Sequence, residues 1–127
     1  MYQRKSKETS RGFTLVELLV IVMILMILTS IALPAYYSSV TSSRIESANS
    51  NARALATAVQ ARALATGTFD TNLAHYAVDL GGELPLNPCT GTNTGYLIVA
   101  GSASATVTAV EGSNCGVWYP ITYATSF

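Results

Sequence analysis

No charged residue falls between Leu18 and Ser43, no lysine or arginine follows Arg62, and histidine occurs once, at His75. Each gap excludes something. A C-terminal half without a basic side chain is a poor nucleic-acid surface, because phosphate contacts supply most non-specific affinity. His75 has no second histidine and no cysteine at ligand spacing, so no metal set is expected. The same lone histidine leaves no Ser-His-Asp set. There is no glycine-rich phosphate loop and no close carboxylate pair in the second half. Asp79 and Glu83 flank Gly81-Gly82 and read as a solvated turn. No catalytic residue and no cofactor is expected.

The charge-free run is itself a signal, and one carboxylate, Glu17, stands within the apolar stretch it belongs to. An ionised acid near the middle of a spanning helix costs roughly 2.5 to 3.5 kcal/mol, so Glu17 needs a cationic partner. The stretch offers no basic side chain. A cut between Gly12 and Phe13 would make one cation, an α-amine with a pKa near 8, one helical turn from Glu17. Amine and carboxylate, of one helix or of two helices staggered by a turn, then pair within the apolar layer.

Gly12, Phe13, Thr14, Leu15, Glu17 and Pro34 together resemble the N-terminal signature of type IV pilins of the IVa-like class and the related type II secretion pseudopilins. The resemblance covers about the first third of the chain. It implies a leader, residues 1–12, cut after Gly12 by a prepilin peptidase that also methylates Phe13. It also implies docking of each subunit into a helical filament through Glu17 and Phe13. In such proteins the helix around the residue matching Pro34 melts and extends on assembly.

Composition and charge fit a membrane precursor. The chain has 127 residues, half of them apolar, enough for one small domain beside a membrane helix. Arg4, Lys5, Lys7 and Arg11 against Glu8 make the first twelve residues basic, as expected on a cytoplasmic side. After the cut, Arg44, Arg53 and Arg62 face six acids, a net negative charge. An ordinary signal peptide is the simpler alternative, with Ser30-Ile31-Ala32 as its small-x-small site. Two features weigh against it. Phe13 to Tyr37 would span about 38 Å as a helix, longer than a signal core needs and enough for a ~30 Å hydrocarbon layer. Glu17 would also hinder a plain signal peptide to no purpose.

The fold expected is α+β: one long helix from about Phe13 to Thr66 packed on a small antiparallel head. Residues 13–37 form its membrane and filament-core half. Pro34 removes a backbone hydrogen bond there and predicts a kink or weakened turn over Thr29 to Leu33, with Thr29 and Ser30 placed to satisfy freed carbonyls. Residues 38–66 form an amphipathic half whose apolar stripe is Ile45, Ala48, Ala52, Leu55, Val59 and Ala63, and Gly67 stops the helix. Residues 67–127 form the head. In it Asp70 is expected to cap a short helix through Leu80, ended by Gly81-Gly82. Strands are predicted over Tyr96 to Ala100, Ala105 to Val110 and Val117 to Tyr123, the last demoted to an edge by Pro120.

Cys89 and Cys115 are the only cysteines, and two thiols in an exported domain form a bridge more readily than a metal site, which needs further ligands. A bridge would close a loop of about 26 residues and stabilise the head by roughly 3.5 kcal/mol on the chain-entropy model. Tyr96, Trp118, Tyr119 and Tyr123 are expected to fill the core and line subunit contacts. The reading is a non-enzymatic type IV pilus subunit, held in the inner membrane as precursor and then polymerised into a homo-oligomeric surface filament. Its partners are the prepilin peptidase and methylase and the pilus assembly machinery, and its head does not bind nucleic acid directly. A pseudopilin of a secretion or competence system is the first alternative. A membrane-anchored binding module that never polymerises is the second, and it would tolerate loss of Glu17.

Overall fold

The computed structural model describes residues 12–118 and 120–126. Helix α1 runs Leu15–Thr66, helix α2 Leu73–Asp79, and strands β1 Tyr96–Ala100, β2 Ser104–Ala109 and β3 Thr122–Ser126 follow. The architecture is α+β with a three-stranded antiparallel sheet, as the sequence predicts. The residues fall into two compact units that meet between Tyr37 and Ser38.

In the first unit every described side chain is exposed, including the large apolar ones from Leu15 to Leu28. Leucine, isoleucine, valine and methionine follow one another here without a polar face, so nothing in the sequence gives this half an inside. α1 is assigned as unbroken helix through Pro34. The carbonyl four residues earlier, on Ser30, has no proline N–H to receive. Thr29 does not take it up: its hydroxyl donates to the Leu25 carbonyl at 2.6 Å.

In the second unit the helix has a face. Ala48, Asn49, Ala52, Leu55, Ala56, Val59 and Ala63 are buried, three and four residues apart, and Ile45 is half-buried against them. The many alanines leave room for the sheet to approach the helix backbone. Gly67 ends α1 at φ +77°, its N–H donating to the Ala63 carbonyl at 2.7 Å, a left-handed position that other residues adopt only with strain.

Two expectations about the head are corrected. Asn72, not Asp70, caps α2: the Asn72 side chain accepts from the Ala74 N–H, while Asp70 accepts from the Asn72 N–H one step earlier. Both are good turn acceptors, and the cap falls to the residue directly ahead of the helix. The third strand begins only at Thr122, after Pro120, because proline has no N–H to give a ladder. That strand is nevertheless an edge, in the order β1-β2-β3.

The register places Tyr96 opposite Ala109 and Ile98 opposite Val107, then Val107 opposite Tyr123 and Ala105 opposite Thr125. These alternate residues make the inner face and close on the α1 stripe, Tyr76 and Trp118. Tyr96 and Trp118 are thus core residues, Tyr123 packs beside them, and Tyr119 lies outside the described residues. Fully buried Asn87 pins the connector to the sheet. Its amide donates to the Gly95 carbonyl at 2.6 Å and the Val110 carbonyl at 3.0 Å, and its carbonyl oxygen accepts from the Cys89 N–H at 2.9 Å. A buried amide with these three bonds fixes one arrangement of three segments.

Candidate functional site

The sequence places the functional residues at the start of α1, and their local structure follows from two side chains. Gly12, Phe13 and Thr14 precede the helix, which begins at Leu15. The Thr14 hydroxyl accepts from the Glu17 N–H at 3.3 Å and lies 3.5 Å from Glu17 Oε2. Threonine at the cap with glutamate three residues on has the spacing of a capping box, but only half of it forms: the Thr14 hydroxyl satisfies the Glu17 N–H, and the Glu17 carboxylate faces that hydroxyl rather than the Thr14 N–H. Thr14 is a site residue that the sequence reading left without a role, though Thr14-Leu15-Val16-Glu17 carries the signal in plain spacing.

The cap has a chemical consequence. It stops the helix short of Phe13, so the Gly12–Phe13 peptide bond stands outside helical geometry, with Phe13 71% exposed. Glu17 stands in the first turn of the helix, exposed, and its negative charge complements the helix N-terminus. The expected leader lies in residues 1–12, of which 1–11 fall outside the described residues.

Pro34 lies further along the same unit, near Tyr36 and Tyr37. Their rings meet edge to face at 6.1 Å between centroids and 67° between planes. The helix is long and apolar enough to cross a membrane, with a mean hydropathy of 2.8 over its most apolar window and none of that window buried.

In the second unit the structure joins Cys89 and Cys115 in a disulfide, with Cα atoms 5.0 Å apart. Both are buried. The bridge ties the connector to the loop between β2 and β3. The Asn114 N–H reinforces it by donating to the Cys89 carbonyl at 3.2 Å. Gly112 is required at that seam, since a Cβ there would run into the Cys89 carbonyl. Arg44 of α1 donates to the Asn114 carbonyl at 3.1 Å and Asn49 accepts from the Ile121 N–H at 3.3 Å, so the helix holds the stapled loop beside the disulfide and at its end before β3.

A separate polar cluster surrounds α2. Arg62 pairs with Asp79 at 3.0 Å and lies 6.0 Å from the Tyr76 ring centroid. Asp79 is therefore part of an ion pair rather than a free turn acid. His75 contacts Asp70, and this contact, helped by the Asn72 N–H, holds the Asp70 carboxyl below the usual range. A hollow of about 420 Å³ lies beside Arg62 and Asp79, floored by Ala58, Ala61 and Ala65. The two ions on its rim already neutralise each other, and the alanine floor offers no hydrogen bond. Among the described residues no three His, Cys, Asp or Glu side chains stand together.

Residues 9–33 match the family model of the prokaryotic N-terminal methylation motif. This model describes a structural type of protein, not an enzyme family. No curated protein and no solved structure matches the chain. The motif and the apolar helix fit a membrane-anchored precursor. An apolar helix capped just beyond Phe13 and an α+β head thus accompany, in this chain, a methylation motif across residues 9–33 that is the hallmark of type IV pilins and pseudopilins.

Proposed function

We propose that the chain is the structural subunit of a type IV pilus, cut after Gly12, methylated on Phe13 and polymerised through its N-terminal helix into a surface filament. One observation carries this reading: the half of α1 with the largest apolar side chains is exposed along its whole length, and its single carboxylate stands one turn from the Gly12–Phe13 junction. A helix of this kind needs lipid first and other helices later. Glu17 then serves as the group that compensates the Phe13 ammonium of a neighbouring subunit. Prepilin peptidase and the assembly machinery are the partners this implies. Leader, span, amphipathic half and head divide the chain at about residues 12, 37 and 66.

A pilus rather than a pseudopilus is favoured by the disulfide that staples the head and by the last third, in which Glu111 is the one acidic residue. The test is mass spectrometry of filaments sheared from cells. The main subunit is expected to yield an N-terminal peptide beginning at methylated Phe13. A peptide beginning at Leu33, or a chain left wholly in the membrane with no filament containing it, would overturn the proposal.

A further inference from the structure

The first unit contains two features that its processing and assembly leave unused: the exposed Tyr36–Tyr37 pair and the distance separating it from Glu17. Both rings are exposed, Tyr36 by 64% and Tyr37 by 65%. Their rings meet edge to face, in a helix segment with no core to enter. Immediately after them the sequence turns to Ser38 and Ser39, and immediately before them ends the apolar run, at Leu33-Pro34-Ala35. An amphipathic ring at the polar end of an apolar helix suits the boundary between hydrocarbon and headgroups, where its face meets acyl chains and its hydroxyl meets ester and phosphate oxygens.

The spacing decides between this and an incidental pair. From Glu17 to Tyr36 the helix rises about 29 Å, or about 27 Å at an average tilt, against a hydrocarbon layer of about 30 Å. Everything between them is uncharged, and the Thr29 hydroxyl is satisfied by its own helix. We infer that Tyr36 and Tyr37 dock in the outer headgroup layer of the bilayer before assembly and so fix the depth of the helix, with Leu18 to Ala35 as the spanning segment and Glu17 at the inner boundary. This rests on the reading of the chain as a membrane-spanning precursor.

The inference changes what Glu17 does. At the inner boundary its carboxylate keeps contact with water and headgroups, and the insertion cost expected for an acid at mid-layer does not arise. That cost appears only when the subunit leaves the membrane for a filament, where a neighbour's ammonium must take the place of water. The tyrosine pair thus holds the subunit at a depth from which Glu17 is stable without a partner. The partner outside the helix is lipid of ordinary headgroup chemistry, since Tyr36 and Tyr37 carry no charge to select an anionic headgroup.

The depth is readable with single tryptophans. In full-length precursor carrying Trp118→Phe, tryptophan is placed in turn at Leu15, Leu25, Tyr36, Tyr37 and Ser39, in vesicles of phosphatidylethanolamine with phosphatidylglycerol. Quenching is compared between lipids brominated near the headgroup and lipids brominated near the chain end. Shallow bromine is expected to quench more at 15, 36 and 37, deep bromine more at 25, and neither strongly at 39. Deep quenching at 36 and 37, or none, with 25 still quenched by deep bromine, overturns the inference and leaves the span intact. An unquenched 25 overturns the spanning reading, and the inference with it. Hydroxyl-radical labelling of the unmutated precursor in the same vesicles guards against a misfolded variant. Tyr36 and Tyr37 are expected to label less than the half-buried Tyr123, and heavier labelling than Tyr123 places them in water and refutes the docking.

Discussion

The two halves of α1 belong to one helix and follow opposite rules. Its first half carries leucine, isoleucine, valine and methionine on all sides and buries none of them. Its second half is less hydrophobic, a stripe rich in alanine among a majority of polar residues, and buries that stripe. Burial here tracks periodicity, not hydrophobicity. A stripe can be covered by a sheet from the same chain, whereas an all-round apolar surface exceeds what a small head can cover. The first half must therefore find its partners outside the chain, and the second has already found them.

The largest expected effect tests the first half. Glu17→Ala leaves the head, the helix and the Gly12–Phe13 junction in place but removes the carboxylate proposed to meet a neighbour's ammonium. Breaking one side of a buried ion pair costs roughly 3 to 5 kcal/mol, about two to four decades in an assembly constant. The variant is expected to accumulate in the membrane, still cut after Gly12, with few or no filaments by electron microscopy. Glu17→Gln is expected to be nearly as poor, since an amide cannot neutralise the ammonium. Parental filament numbers from Glu17→Ala would put the anchored, non-polymerising module ahead.

What the sequence made legible divides along the same line. Local signals were readable: the α1 stripe, the Gly67 stop, the β1 span and the pairing of Cys89 with Cys115, the last because there were no other thiols to choose from. Signals that compete locally were misassigned. Asp70 and Asn72 are both capping residues two apart, and only the position of the first helical turn decides between them. Val117 to Tyr123 has strand composition, yet Pro120 displaces the strand beyond it. The Thr14 cap is masked in the sequence by its partner, because Glu17 stands out first as a charge in an apolar layer. Asn87 was not foreseeable, since its partners at Gly95 and Val110 come together only when β1 and β2 pair. The Arg62–Asp79 pair likewise needs α2 to fold back on α1.

The next effect tests the second half. Cys89→Ser with Cys115→Ser removes the staple between the connector and the β2–β3 loop. On the chain-entropy model a loop separation of 26 residues makes the bridge worth roughly 3.5 kcal/mol. Thermal unfolding of the full chain in detergent, followed by near-ultraviolet circular dichroism, is expected to show a lower midpoint for the head. Far-ultraviolet signal from the first half of α1 should persist, because that half takes nothing from the head's core. An unchanged midpoint after reduction would show that Asn87 and the Arg44–Asn114 contact hold the loop unaided.

The smallest effect concerns a flaw in the second half's core. The Tyr96 hydroxyl and the Trp118 indole N–H are buried and have no hydrogen-bond partner among the described residues. Burial pushes the Tyr96 hydroxyl's pKa up, while the Asn51 amide, near but outside hydrogen-bonding geometry, pulls it down to a lesser extent. That amide is already donating to the Leu86 carbonyl at 2.8 Å. Tyr96→Phe removes the unpaired oxygen and keeps the ring, so a gain of about 1 kcal/mol is expected at neutral pH. The pH dependence carries a sign that tests the same point. A raised folded pKa means the parent keeps its full stability below the ordinary tyrosine value, near 10, and loses it as pH rises toward the folded value, because the unfolded chain ionises first. The phenylalanine variant lacks this share of the loss, although Tyr76, also raised by burial, keeps its own. Denaturant unfolding should thus find the variant's advantage growing above about pH 10. A variant weaker than its parent at neutral pH would show that the hydroxyl has a partner after all, a bound water being the simplest, and would leave the Trp118 indole N–H as the one unpaired buried side-chain group among the described residues.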